Sequence, residues 1–147
     1  MNAANIALAL MIGILLPLQA LINASLGKQT SGPLFASLCS FLVGSAVLLA
    51  WWLATRPAFE ASALARVPWW AWTGGMIGAV FVAASTLLIP RMGAAALICL
   101  VVLGQVLASL LLDHFGVLHE RRPIDAMRLV GALLVGGGAL LVVKPWQ

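Results

Sequence analysis

Uncharged apolar runs alternate along the chain with short polar joints. Met1 to Gly27, Gln29 to Thr55, Val67 to Pro90, Met92 to Leu112 and Leu129 to Val143 contain no Asp, Glu, Lys, Arg or His. A helix rising 1.5 Å per residue needs about 20 apolar residues to cross a hydrocarbon core of roughly 30 Å. The first four runs reach that length. The fifth falls short, but Pro123 suits the first turn of a helix, so this span is expected to begin before Arg128 and let its guanidinium snorkel. Period-two alternation is absent and the runs are about twice the length of a barrel strand, which excludes a β-barrel. The pattern predicts an all-α integral membrane protein, a five-transmembrane-helix bundle with helices over 5–26, 33–54, 68–89, 92–112 and 123–143, in a single transmembrane domain over 1–147.

The breaks in the pattern carry their own signals. Pro17 lies inside the first span, where it removes a backbone donor and is expected to kink the helix near the bilayer middle. Gly27 to Gly32 reads as a turn, Pro90, Arg91 and Gly93 as a tight reversal, and His114 to Arg122 as a polar connection. Between Arg56 and Val67, Phe59, Ala63 and Leu64 fit a surface-lying turn. The first run has no basic stretch before it and continues through Gln19, Asn23 and Ser25, so it reads as a helix and not as a signal peptide. Small residues mark helix-packing faces: Gly74 and Gly78 in the third span, Gly104 and Ala108 in the fourth, Ala132 and Gly136 in the fifth.

Composition sharpens this picture. With 63% hydrophobic and 8% charged residues, the chain has too little polar surface to cover a soluble globule. The net charge of +4 comes from eight basic residues placed singly or in pairs between apolar runs, which gives interface anchors and contacts to anionic lipid but no basic groove for nucleic acid. Trp51, Trp52, Trp69, Trp70 and Trp72 end the second run and open the third, as expected where both helices meet one membrane face, and Trp146 is placed to anchor the last helix. Cys39 and Cys99 sit inside apolar runs, without disulfide or metal-ligand spacing. His114 and His119, beside Asp113 and Glu120, also lack a recognised metal spacing and read as a solvated loop. No cofactor or metal is expected. Connections this short leave no room for the catalytic domain of a conventional enzyme.

Four stretches, read in order, carry a family resemblance: "PLQALINASLG" from Pro17, "GGMIGA" from Gly74, "GQVLASLLLDHFG" from Gly104 and "RLVGALLVGGG" from Arg128. The chain resembles, over essentially its whole length, the YdcZ-type proteins, small bacterial inner-membrane proteins of the drug/metabolite transporter superfamily. The resemblance implies a five-helix unit equivalent to half of a ten-helix EamA-type transporter, whose two halves have opposite orientations in the membrane. A single unit of this kind needs a partner, as an antiparallel homodimer or paired with a homologous subunit.

The first four predicted spans lack an ionisable residue, so a proton antiport built on a membrane glutamate finds no equivalent here, and a permanent cation would have only aromatic faces such as Trp72. The polar groups in the spans form two sets: Gln19 and Asn23 one turn apart, and Gln105, Ser109 and Asp113 at successive turns. Each set shares a helix face. One reading has these groups hydrogen-bonding between helices, at up to about 1 kcal/mol each. The other makes Gln19, Asn23, Gln105 and Ser109 a substrate pathway, with Asp113 and Trp72 at its gate or boundary.

The first and fourth spans run oppositely, so inverting a second copy brings its fourth-span set level with the first-span set, as alternating access requires. With the N-terminus inside, Arg56, Arg66, Arg121, Arg122 and Arg128 are cytoplasmic and Lys28, Arg91 and Lys144 lie outside, a shallow positive-inside bias that permits some inverted insertion. The function expected is secondary transport of a small neutral or zwitterionic metabolite. A non-transporting membrane subunit and a small channel are the alternatives.

Overall fold

The computed structural model describes residues 2–144 except Pro57 and Phe59. The expectations for Phe59 and Trp146 lie outside the described residues. Among the described residues there are six α-helices and one 3-10 segment: α1 Ala3–Gln29, α2 Pro33–Thr55, α3 Ala61–Leu64, the 3-10 segment Trp69–Thr73, α4 Gly74–Met92, α5 Ala94–Phe115 and α6 Ala126–Val143. No strand occurs among the described residues. Five of these helical stretches are long and apolar enough to span a membrane, the third being the 3-10 segment continued by α4. Large apolar side chains such as Ile14, Leu42, Leu48, Val80 and Leu133 project outward, which suits a hydrocarbon solvent and not water.

The chain forms two compact units, Met1–Arg91 and Met92–Gln147. In the first, α1 and α2 pack side by side. Gly27 lies where the turn between them closes, and a Cβ there would stand 3.3 Å from backbone atoms of Gly32 and Pro33. α4 meets α2 through Gly78, whose bare backbone takes the Phe41 ring at 3.6 Å from a would-be Cβ. Ala20, Ala24 and Ala36 are buried. In the second unit α5 packs on α6, with Ala132 and Ala139 buried and Leu103 against Gly136. Small residues thus carry the contacts within both units, as expected where lipid tails compete equally for large apolar side chains. Gly74 and Gly104 are different. Neither has a heavy atom of the described residues within 4 Å of its would-be Cβ, so neither packs closely within its own unit.

Helix ends depart from the sequence expectation in four places. α1 continues past Gly27 through Lys28 to Gln29, because Gly27 is in contact with Pro33 and does not serve as a cap. α4 does not stop at Pro90 but runs through Arg91 to Met92. The helix gives up the one backbone donor that Pro90 lacks, and the break is made by Gly93, whose φ of +82° leaves the right-handed region. The last helix begins at Ala126 and not at Pro123, because Asp125 caps it: its Oδ1 accepts a hydrogen bond from the Arg128 backbone N–H at 2.8 Å. α5 also reaches beyond the apolar run to Phe115, which brings Asp113 and His114 inside a helix. Pro17 lies within a continuous α1.

Candidate functional site

Polar side chains collect at one place in each unit. In the first unit, α1 and α2 are held in antiparallel register by Gly27 against Gly32 and by Gln19, whose Nε2 donates a long 3.5 Å hydrogen bond to Ser40 Oγ. Asn23 lies between Gln19 and Gly27 along α1. It is only 4% exposed, and its Nδ2 has no hydrogen-bond partner among the described residues. Leaving a buried amide donor unmet costs about 1–3 kcal/mol. On the facing helices, Ser37 Oγ donates to Pro33 O and Thr86 Oγ1 to Val82 O, both at 2.8 Å. The two hydroxyl oxygens stand 3.4 Å apart. Each proton serves its own helix in those bonds, so both oxygens keep acceptor capacity. Ser85 is buried beside Thr86 in sequence. Above this layer, Gln19 lines a cleft of about 190 Å³ with Ser40, Phe41, Gly44, Ser45 and Val82.

The second unit holds its polar groups on an open groove of about 450 Å³ between α5 and α6. Gln105, Ser109 and Asp113 supply a polar rail from α5; Arg128, Gly131 and Ala132 face it from α6. Among the described residues the side chains of Gln105 and Ser109 have no hydrogen-bond partner. Asp113 does: Oδ2 accepts from Arg128 Nη1 at 3.4 Å and Oδ1 meets His119 Nε2 at 3.2 Å. The connection that makes this possible starts at Gly116, in the left-handed region at φ +67°. Its N–H bonds Asp113 O and the Val117 N–H bonds Leu112 O, a Schellman closure of α5. The chain then folds back so that Arg122 N–H donates to Asp113 O at 2.8 Å, and Ile124 N–H to His114 Nδ1 at 3.2 Å.

The four residues expected to form a pathway therefore divide by unit. Asn23 is buried, while Gln19 is exposed on a cleft and Gln105 and Ser109 are exposed on a groove. Asp113 stands where the groove meets the charged connection, and Trp72 is exposed in the 3-10 segment and lines neither the cleft nor the groove. Sequence reading missed Ser37, Ser40, Ser85 and Thr86. It also took Arg128 as an interface anchor only.

Comparison with known proteins identifies the family of the chain. The family model described as "Putative inner membrane exporter, YdcZ" matches residues 4–141. The chain belongs to this family. The Inner membrane protein YdcZ of Escherichia coli (strain K12) is 30% identical over 143 residues, covering 95% of each chain. No solved structure matches significantly. Five membrane-spanning helices and this membership make the chain a multi-pass inner-membrane protein of an exporter family.

Proposed function

We propose that the chain is a secondary transporter that moves a small neutral or zwitterionic metabolite, as exporter or exchanger, through an antiparallel pair by alternating access. The observation that carries this reading is the matched placement of the two polar sets. Gln19 and Asn23 stand ten and six residues before Gln29, the last residue of α1, and Gln105 and Ser109 stand ten and six residues before Phe115, the last residue of α5. At 1.5 Å per residue, each set lies about 15 and 9 Å from its helix end. Successive crossings make the first and fourth spans antiparallel, so these ends belong to opposite membrane faces. Inverting a second copy brings the Gln105 and Ser109 of one chain level with the Gln19 and Asn23 of the other. Two equivalent polar layers then flank the midplane.

The unpartnered groups support the same reading, since an amide or hydroxyl facing lipid unpaired costs several kcal/mol. Water, substrate or the second subunit removes that cost.

The test is the composition of the medium around cells making the protein, followed by flux into vesicles that contain it. At least one small metabolite accumulates outside with the wild type and not with Gln105→Leu, while membrane insertion is unchanged. Saturable flux of that compound in vesicles is expected. Absence of any flux means a non-transporting subunit, and unitary conductance means a channel. Reporters active only in the periplasm or only in the cytoplasm, fused in turn to the C-terminus, are both expected to register, with the N-in orientation in the majority.

A further inference from the structure

The groove on the second unit carries a pair of opposite charges whose geometry is open to a ligand. Asp113 and Arg128 meet through one contact of 3.4 Å, longer than the 2.7–2.9 Å of a strong charge-assisted bond, with side chains 32% and 35% exposed. Among the described residues, Asp113 is the only acceptor within hydrogen-bond distance of the Arg128 guanidinium, whose Nε lies 3.9 Å from Asp125 Oδ2. Most of its five donors are therefore unspent. On the same face of α5, Ser109 and Gln105 follow Asp113 one and two turns deeper, and Val102, Val106, Ala132 and Val135 make the rest of the wall apolar. The groove's volume of about 450 Å³ falls in the range of small-molecule sites.

We propose that this groove binds a zwitterion with an ammonium and a carboxylate on neighbouring positions and a small aliphatic tail, as in an aliphatic α-amino acid. This rests on the transporter reading and narrows its substrate class. The ammonium lies on Asp113, the carboxylate on Arg128, and the tail along Val102, Val106 and Val135. The selection is electrostatic. A zwitterion exchanges one weak internal ion pair for two external ones and adds no net charge to a groove of low polarity. A lone amine or a lone acid breaks the same pair and leaves one protein charge uncompensated, which is unfavourable away from water. A neutral sugar gains nothing from separating the pair. His119 and Asp125 are the other charged or titratable groups within 4 Å of Asp113 and Arg128, one on each.

The experiment uses the protein in lipid nanodiscs with radiolabelled L-leucine as the probe, and 3-methylbutylamine and 4-methylpentanoate as analogues lacking one charge. L-leucine binds saturably, and each analogue binds about tenfold or more weakly. Asp113→Asn narrows the gap between L-leucine and 4-methylpentanoate; Arg128→Gln narrows it for 3-methylbutylamine. Thermal melting of both variants stays near wild type. The proposal is overturned by absence of saturable L-leucine binding, by equal binding of a single-charge analogue, or by variants that lose all three ligands in parallel. A Gln105-dependent exported compound without paired charges sinks this proposal alone. Saturable L-leucine binding without any flux supports it and sinks the transporter reading instead.

Discussion

Replacing Gly116 by alanine tests the connection on which the α5–α6 groove depends. Two costs act at this position. Its φ of +67° is left-handed, which penalises a Cβ by roughly 1–2 kcal/mol. The new Cβ would also stand 3.1 Å from Arg121 Cβ and 3.2 Å from its Cα and backbone N. Two of those atoms are backbone, so relief requires moving the connection, at about 1–3 kcal/mol as for other overpacked sites. Together these give roughly 2–5 kcal/mol, a population shift of about 30-fold or more. The movement reaches function because the same connection carries His119 to Asp113 and donates Arg122 N–H to Asp113 O. The assay is thermal melting in nanodiscs with Gly104→Ala as control. That residue is in a right-handed helix with nothing within 4 Å, so the control should match wild type or gain up to about 1 kcal/mol. Equal melting of Gly116→Ala and wild type would show that the closure of α5 does not hold the groove.

Gly27→Leu forces α1 and α2 apart at backbone 3.3 Å away and should cost several kcal/mol or abolish accumulation, whereas Gly78→Ala meets Phe41 at an ordinary 3.6 Å and should be nearly neutral; immunoblots and melting of both variants check the contrast. Asn23→Leu removes a buried donor with no partner, so stability should hold or rise by about 1–3 kcal/mol while transport falls, and a clear loss of stability would show that Asn23 is structural glue. Asp113→Asn alters a half-exposed ion pair, so its effect on melting should stay within about 1 kcal/mol; a larger loss would mark the pair as a structural element.

The spans were readable because length and absence of charge are direct consequences of a hydrocarbon solvent. Their ends were less so. Whether a helix stops at Pro90 or two residues later depends on the left-handed Gly93, and whether the last helix starts at Pro123 or Ala126 depends on which residue captures the orphan N–H groups. Gln19, Asn23, Gln105 and Ser109 stood out as amides and hydroxyls among apolar neighbours. Ser37 and Thr86 did not, since each bonds a carbonyl of its own helix and gives no periodic signal. The Asp113–Arg128 pair was hidden for another reason: it forms only when Gly116 turns the chain back, and no spacing in the sequence encodes that return.

The pairing of two inverted copies is tested most directly by crosslinking differently tagged chains in inner-membrane vesicles. In a background with Cys39 and Cys99 replaced by alanine, one chain carries Gln19→Cys and the other Gln105→Cys, and a short bismaleimide is added. The matched depths of these positions predict a heterologous product joining the two tags, at a yield well above that from either variant with itself. Products joining only like positions, Gln19→Cys to Gln19→Cys or Gln105→Cys to Gln105→Cys, would place the copies parallel and contradict the antiparallel transporter.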